Sequence, residues 1–190
     1  LAEMMETGIV TAGISVAPDF PSGRVALPSK KMCASNFPGP QLFRTFFKVA
    51  LSTPSKPSTG ARFGASHATN AFFRRPDLFE VLLAMGGIYD LQPDFLHGFW
   101  NDDVYFNNPA SYVPNLPEGH AMDLLRHHSR IHLLSSRGQW EHPHHTEHFS
   151  HLLNQRGIPY NIDIWGHDMP HDWPTWHRQL DHYISERLGY

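Results

Sequence analysis

The sequence predicts an α/β fold built on a mostly parallel sheet. Two observations carry this. Three short segments, Glu80–Met85, Arg130–Ser136 and Pro159–Trp165, read as strands, the first a continuous apolar run as in a sheet covered on both faces. They alternate with segments of helical pattern, Ser66–Arg74, Pro143–Arg156 and Trp173–Leu188.

The chain has 190 residues, enough for a single domain with one sizeable core. Hydrophobic residues make up 41% and charged residues 17%, ordinary for a globular protein. The formal net charge of −3 supplies no basic field for nucleic acid and no polybasic patch for an anionic membrane. No apolar run reaches bilayer-spanning length, and Leu1–Val16 lacks the basic start and apolar middle of a signal peptide. The first residue is Leu rather than Met, which leaves room for an upstream piece. Cys33 is the single cysteine, so no internal disulfide forms, and a reducing, cytoplasmic setting is expected.

Composition divides the chain near Ser58. All 15 histidines lie at or after His67, whereas the first part is rich in Ser, Pro and Lys. Ile9–Val16 reads as a strand and Ala17–Gly39 as loop. Gln41–Leu51 fits a short helix or a strand equally well. Ser52–Ser58, with two prolines and no apolar run, reads as a linker, which leaves the next segment without a preceding strand. Thr59–Leu91 then carries a Gly-punctuated turn, an amphipathic helix ended by Pro76, a buried strand and a second Gly turn. Leu91–Leu116 is an aromatic, Asn/Asp-rich connection expected to hold little regular structure, and Glu118–His127 reads as a short helix. Gly157 closes the helix that starts at Pro143. A sheet without good early strands exposes an edge, which leaves a homodimer open.

Three segments carry chemistry. The first is the small-residue turn Thr59-Gly60-Ala61-Arg62-Phe63-Gly64, which opens onto a helix. The second is Gly138-Gln139-Trp140-Glu141, just after a strand. The third is Trp165-Gly166-His167-Asp168, followed by His171-Asp172-Trp173-Pro174 and Trp176, between the last strand and the last helix. Ligands of parallel sheets bind at that edge, and a base there can activate a hydroxyl. His167 and His171 otherwise pack against or cap the last helix. Asp172 also reads as that helix's N-cap, with Pro174 in its first turn.

These segments resemble an esterase family of the α/β-hydrolase superfamily. Its elbow reads TGCSMG-Y-HA-N--FRRPDLF, matched here by Thr59, Gly60, Gly64, His67, Ala68, Asn70 and Phe73–Phe79. Its G-GAWE and WGHD--HDWPWW motifs are similar to the second and third segments. The likeness runs from Thr59 to about Leu188, so the domain divides into a poorly matched 1–58 and a matched 59–190. It implies an α/β-hydrolase-like three-layer sandwich, with the N-terminal part degenerate or incomplete. It also implies hydrolysis of carboxylic esters by a Ser–acid–His triad, without metal or cofactor. By position, His171 is the base and Glu141 the acid, which otherwise reads as a solvated carboxylate at a helix start.

The family's serine position holds Arg62, which stays protonated and cannot attack a carbonyl. It can instead pair with Glu141 or bind an anion. A shifted register, Gly64-Ala65-Ser66-His67-Ala68, offers Ser66 as nucleophile, about one helical turn further on; Ser66 otherwise reads as an ordinary helix-start residue. Two functions therefore stand side by side. One is a serine esterase acting on a small ester. The other is an inactive homologue that keeps the fold as a binding or structural domain.

Two further groups stay open. His144 and His148, extended by His151, can share a helix face suited to Zn²⁺, but the spacing is not HExxH, and a His-rich polar surface is the preferred reading. Phe95, Phe99, Trp100, Tyr105, Phe106 and Tyr112 either wall an acyl pocket or plug the connection onto the core.

Overall fold

A computed structural model of the chain describes residues 57–187. The strand expected at Ile9–Val16 and the segment Gln41–Leu51 lie outside the described residues.

Four strands form one parallel sheet in the order β1-β2-β3-β4. They are β1 (Pro57–Ala61), β2 (Val81–Met85), β3 (Arg130–Ser136) and β4 (Asn161–Trp165). Their register pairs Gly60 with Ala84, Ala84 with Leu133, and Ser136 with Trp165. Spatial order follows chain order, so each connection returns to the neighbouring strand. α1 (Phe63–Arg74) links β1 to β2, and α5 (Pro143–Gln155) links β3 to β4. Between β2 and β3 lie α2 (Asp102–Asn107), α3 (Pro109–Tyr112) and α4 (His120–His127). α6 (Trp173–His182) ends the described fold, followed by a π-helical turn at Tyr183–Arg187.

Strand alternation sorts the core into two layers. Leu82, Ala84, Ile131 and Leu133 face one side, where they meet Ala65, Ala68, Phe72 and Phe73 of α1, Met122 and Leu125 of α4, and Phe149 and Leu153 of α5. Leu83, Met85 and Leu134 face the other side and pack on Trp176 of α6 and on Tyr183. Helices on both faces make the sandwich three-layered, and they explain why β2 reads as an unbroken apolar run, all five residues buried. Phe72 and Phe149 are fully buried. Each contributes about 1.5–3 kcal/mol relative to exposure.

Two expectations are corrected. Pro57–Ala61 is a strand although its sequence, Pro-Ser-Thr-Gly-Ala, carries no strand preference. Pairing with β2 overrides that preference, and the Thr59 hydroxyl adds a bond to the Leu83 carbonyl (2.8 Å). The connection after Leu91 is not irregular either. It holds a π-helical turn at Gln92–Leu96 and the short helices α2 and α3. Its Asn residues build these turns: Asn101 Oδ1 caps α2 by accepting the Val104 N–H (2.8 Å), and buried Asn108 accepts the Leu91 N–H (3.0 Å).

Helix ends follow the sequence more closely. Gly157, at φ 64°, closes α5 as expected, with the Ile158 N–H donating to the Leu153 carbonyl (3.0 Å). Asp172 caps α6, and Pro174 sits in its first turn.

Candidate functional site: an elbow and an acid–base pair

β1 runs into α1 through the single residue Arg62, at φ 54° and ψ −126°. A side chain held there carries of the order of 1–3 kcal/mol of strain. The surroundings hold it in place. The Arg62 N–H donates to the Met85 carbonyl (3.0 Å), and its own carbonyl accepts from Ala65 N–H (3.0 Å). The flanking glycines make the turn sterically feasible. A Cβ on Gly60 would lie 2.2 Å from the Gly64 carbonyl oxygen. This strained strand–turn–helix is the way α/β-hydrolases present a nucleophile. Here the residue at its tip is an arginine with an exposed side chain. Among the described residues Arg62 forms no ion pair, Glu141 being engaged elsewhere.

Ser66 lies one turn into α1, about 6 Å further along the helix by its rise. Its side chain is nearly buried, and its hydroxyl donates to the Ile88 carbonyl.

The acid and the base do meet. Glu141 follows β3 on a turn through Trp140, which takes φ 66°. Its N–H donates to the Gly138 carbonyl (3.2 Å). The histidine loop lies directly against this turn. The His171 N–H donates to the Gln139 carbonyl (2.9 Å), and Ser136 Oγ donates to the Met169 carbonyl. At Gly138 a Cβ would fall 2.0 Å from the Met169 oxygen, so only glycine allows the two loops to touch. Across this contact His171 Nδ1 hydrogen-bonds Glu141 Oε2. A carboxylate can only accept, so Nδ1 carries the proton and Nε2 presents a lone pair. The side chains are 2% exposed for Glu141 and 11% for His171, which keeps water from competing for the bond. The Trp176 ring stands edge-on to His171, centroids 5.1 Å apart.

Gly86 completes the pair. It follows β2 at φ 55°, and a Cβ there would lie 2.8 Å from Glu141 Oε1 and 3.2 Å from His171 Cε1. Its N–H donates to the Leu134 carbonyl (2.8 Å). Sequence reasoning placed Gly138 in the acid's motif but gave no role to it or to Gly86. The only trace of Gly86's role is the Gly-Gly pair straight after an apolar strand.

Arg62, Glu141 and His171 share one cavity of about 430 Å³ with Gly86, Gly87 and Ile88. Phe95, Trp140, His142 and His145 form the rest of its wall. Ser66 does not line this cavity. Of the six aromatic residues in the connection, Phe95 alone reaches it, edge-on to Phe63 (5.2 Å); Tyr112 is buried in the core.

His144, His148 and His151 are exposed on α5. Among the described residues no group of three or more His, Cys, Asp or Glu is placed to hold a metal ion. His145 faces inward, with Nε2 3.4 Å from Asp94. Burial and the neighbouring His144 hold its pKa below the ordinary histidine value, outweighing Asp94. At neutral pH this contact is therefore not an ion pair. Among the described residues no helix is long and apolar enough to cross a membrane.

A three-layer parallel sandwich with a strained elbow and a Glu–His pair at the carboxyl ends of its strands has the architecture of an α/β-hydrolase. Solved structures agree. A ferulic acid esterase superimposes with a TM-score of 0.54 at 20% identity, over 73% of this chain and 54% of that one. An S-formylglutathione hydrolase from Staphylococcus aureus gives 0.52 at 13% identity, over 76% and 57%. A dipeptidyl aminopeptidase IV-type protein from Bacteroides ovatus gives 0.52 at 16%, over 77% and 22%. The chain thus spans little more than half the length of the two esterase-type hydrolases. At these identities the likeness is one of fold. No protein-family model matches the sequence, and no curated protein matches it.

Proposed function

We propose that the chain is an esterase-type α/β-hydrolase domain that binds small esters, or the acids they contain, and does not form an acyl-enzyme. The observation that carries this reading is the occupant of the elbow. Arg62 stands where the nucleophile of such a site belongs, and its guanidinium has no lone pair to attack with. In an active site of this construction a serine hydroxyl adds to the ester carbonyl, and His171 Nε2 takes its proton while Glu141 steadies the imidazolium. Here the pair that would receive the proton stands ready and has nothing to deprotonate.

The Glu141–His171 pair also favours a second reading, an ester hydrolase using Ser66. That requires the Ser66 hydroxyl to leave the Ile88 carbonyl and the first turn of α1 to move toward His171.

Turnover of 4-nitrophenyl acetate and butyrate separates the two. The binding reading expects the parent protein to match His171→Ala, with activity appearing in Arg62→Ser. Parent turnover that vanishes in both Ser66→Ala and His171→Ala supports the second reading instead.

A further inference from the structure

We infer that Arg62 makes the cavity a carboxylate-binding site, so that it prefers a small acid with a flat apolar body over the corresponding neutral ester or amide. This rests on the binding reading above and names the ligand class of the same site.

Charge and shape both point to this ligand class. Among the residues lining the cavity there is one carboxylate, Glu141, and its Oε2 is taken by His171. The guanidinium of Arg62 is permanently charged, and among the described residues no carboxylate pairs with it. The Arg62 donors are therefore free to take a ligand anion, while the Glu141 carboxylate is held by His171. Arg62 also stands at the N-terminus of the 12-residue α1, whose first amide groups have no acceptor inside the helix and whose dipole favours an anion. A monoanion with two oxygens in one plane matches the guanidinium fork.

The rest of the cavity limits what the anion can carry. Phe95 and Trp140 contribute aromatic surface and are 40% and 74% exposed. A volume of about 430 Å³ suits a ligand of drug-fragment size rather than a bare inorganic ion. The expected occupant places its carboxylate at Arg62 and its ring against Phe95 and Trp140.

The test is calorimetric titration of the full chain with 3-phenylpropanoate and with 3-phenylpropanamide, repeated for Arg62→Gln. Gln keeps a polar side chain with N–H donors and removes the charge. The proposal expects the parent to bind the acid about tenfold to a hundredfold more tightly than the amide, the range of one charge-assisted contact. In Arg62→Gln the preference disappears and the amide affinity persists. Circular dichroism confirms that the variant is folded. Equal affinity of the parent for acid and amide overturns the carboxylate assignment and leaves the binding reading in place. A preference that survives in Arg62→Gln overturns the role of Arg62. Acylation of the parent at Ser66 would instead sink the binding reading itself, so the two failures are distinguishable.

Discussion

His171 Nδ1 and Glu141 Oε2 share a hydrogen bond across 30 residues of chain, and the backbone contact between their loops, His171 N–H to Gln139 O at 2.9 Å, fixes it. The acid and the base are thus held by main chain, independently of what occupies the elbow. Replacing Arg62 should leave the pair intact. In an Arg62→Ser background, Glu141→Gln removes the carboxylate that sets the imidazole tautomer. Turnover of 4-nitrophenyl butyrate should then fall roughly 10³–10⁴-fold below Arg62→Ser alone. Equal kcat values for the two variants would mean that the pair takes no part.

Gly60 and Gly98 should respond very differently to alanine. At Gly60 a Cβ meets only backbone, Gly64 O and C at 2.2 and 2.3 Å, and neither can move without opening the elbow. A loss of roughly 3 kcal/mol or more is expected, read from the urea midpoint. At Gly98 nothing lies within 4 Å, and only its φ of 88° resists a side chain, which costs about 1 kcal/mol. Similar costs at the two sites would contradict the close approach at the elbow.

Stability should weaken on the acid side, in part because of His145. Its folded pKa is depressed, first by burial and then by His144, with His142 acting the same way and Asp94 and Asp90 opposing. The unfolded chain therefore binds the proton more readily. Its contribution is fully present above the ordinary histidine value of 6.5 and is lost as pH falls toward the lower folded value. Melting temperature against pH should fall less steeply below 6.5 in His145→Gln than in the parent. Parallel curves would rule this out.

Asp172 accepts the Trp173 N–H at 2.7 Å, and its carbonyl takes the Thr175 N–H at 3.1 Å. Asp172→Ala should cost about 1 kcal/mol of stability through loss of the cap. No change in the urea midpoint would mean that solvent satisfies the start of α6 equally well.

The sequence made β2 legible because a strand covered on both faces is apolar throughout, and β3 and β4 legible because short runs with β-branched and apolar residues stand between turns and helices. α5 and α6 were legible because Gly157 and Asp172 mark an end and a start. β1 was not legible. Its polar residues are held by pairing with β2 and by a side-chain bond to Leu83, neither of which is local. The connection after β2 misled for the opposite reason. Asn101 and Asn108 looked like loop residues, yet the Asn101 side chain caps the helix it begins and the Asn108 side chain takes the Leu91 N–H at the start of the connection. At the site, the chemistry of Arg62, Glu141 and His171 could be named from motifs. Gly86 and Gly138 matter only because two distant segments pass within a methyl group of them, a fact that exists only in the folded chain.

The most direct measurement is labelling of the full chain with a fluorophosphonate probe, followed by peptide mass spectrometry, on the parent and on Arg62→Ser. The probe reacts with a serine whose proton a base has taken. The account predicts no label on the parent and a label at position 62 in the variant, lost when His171 is also changed to Ala. A label on Ser66 of the parent, abolished by His171→Ala, would contradict it and establish a nucleophile one turn beyond the elbow.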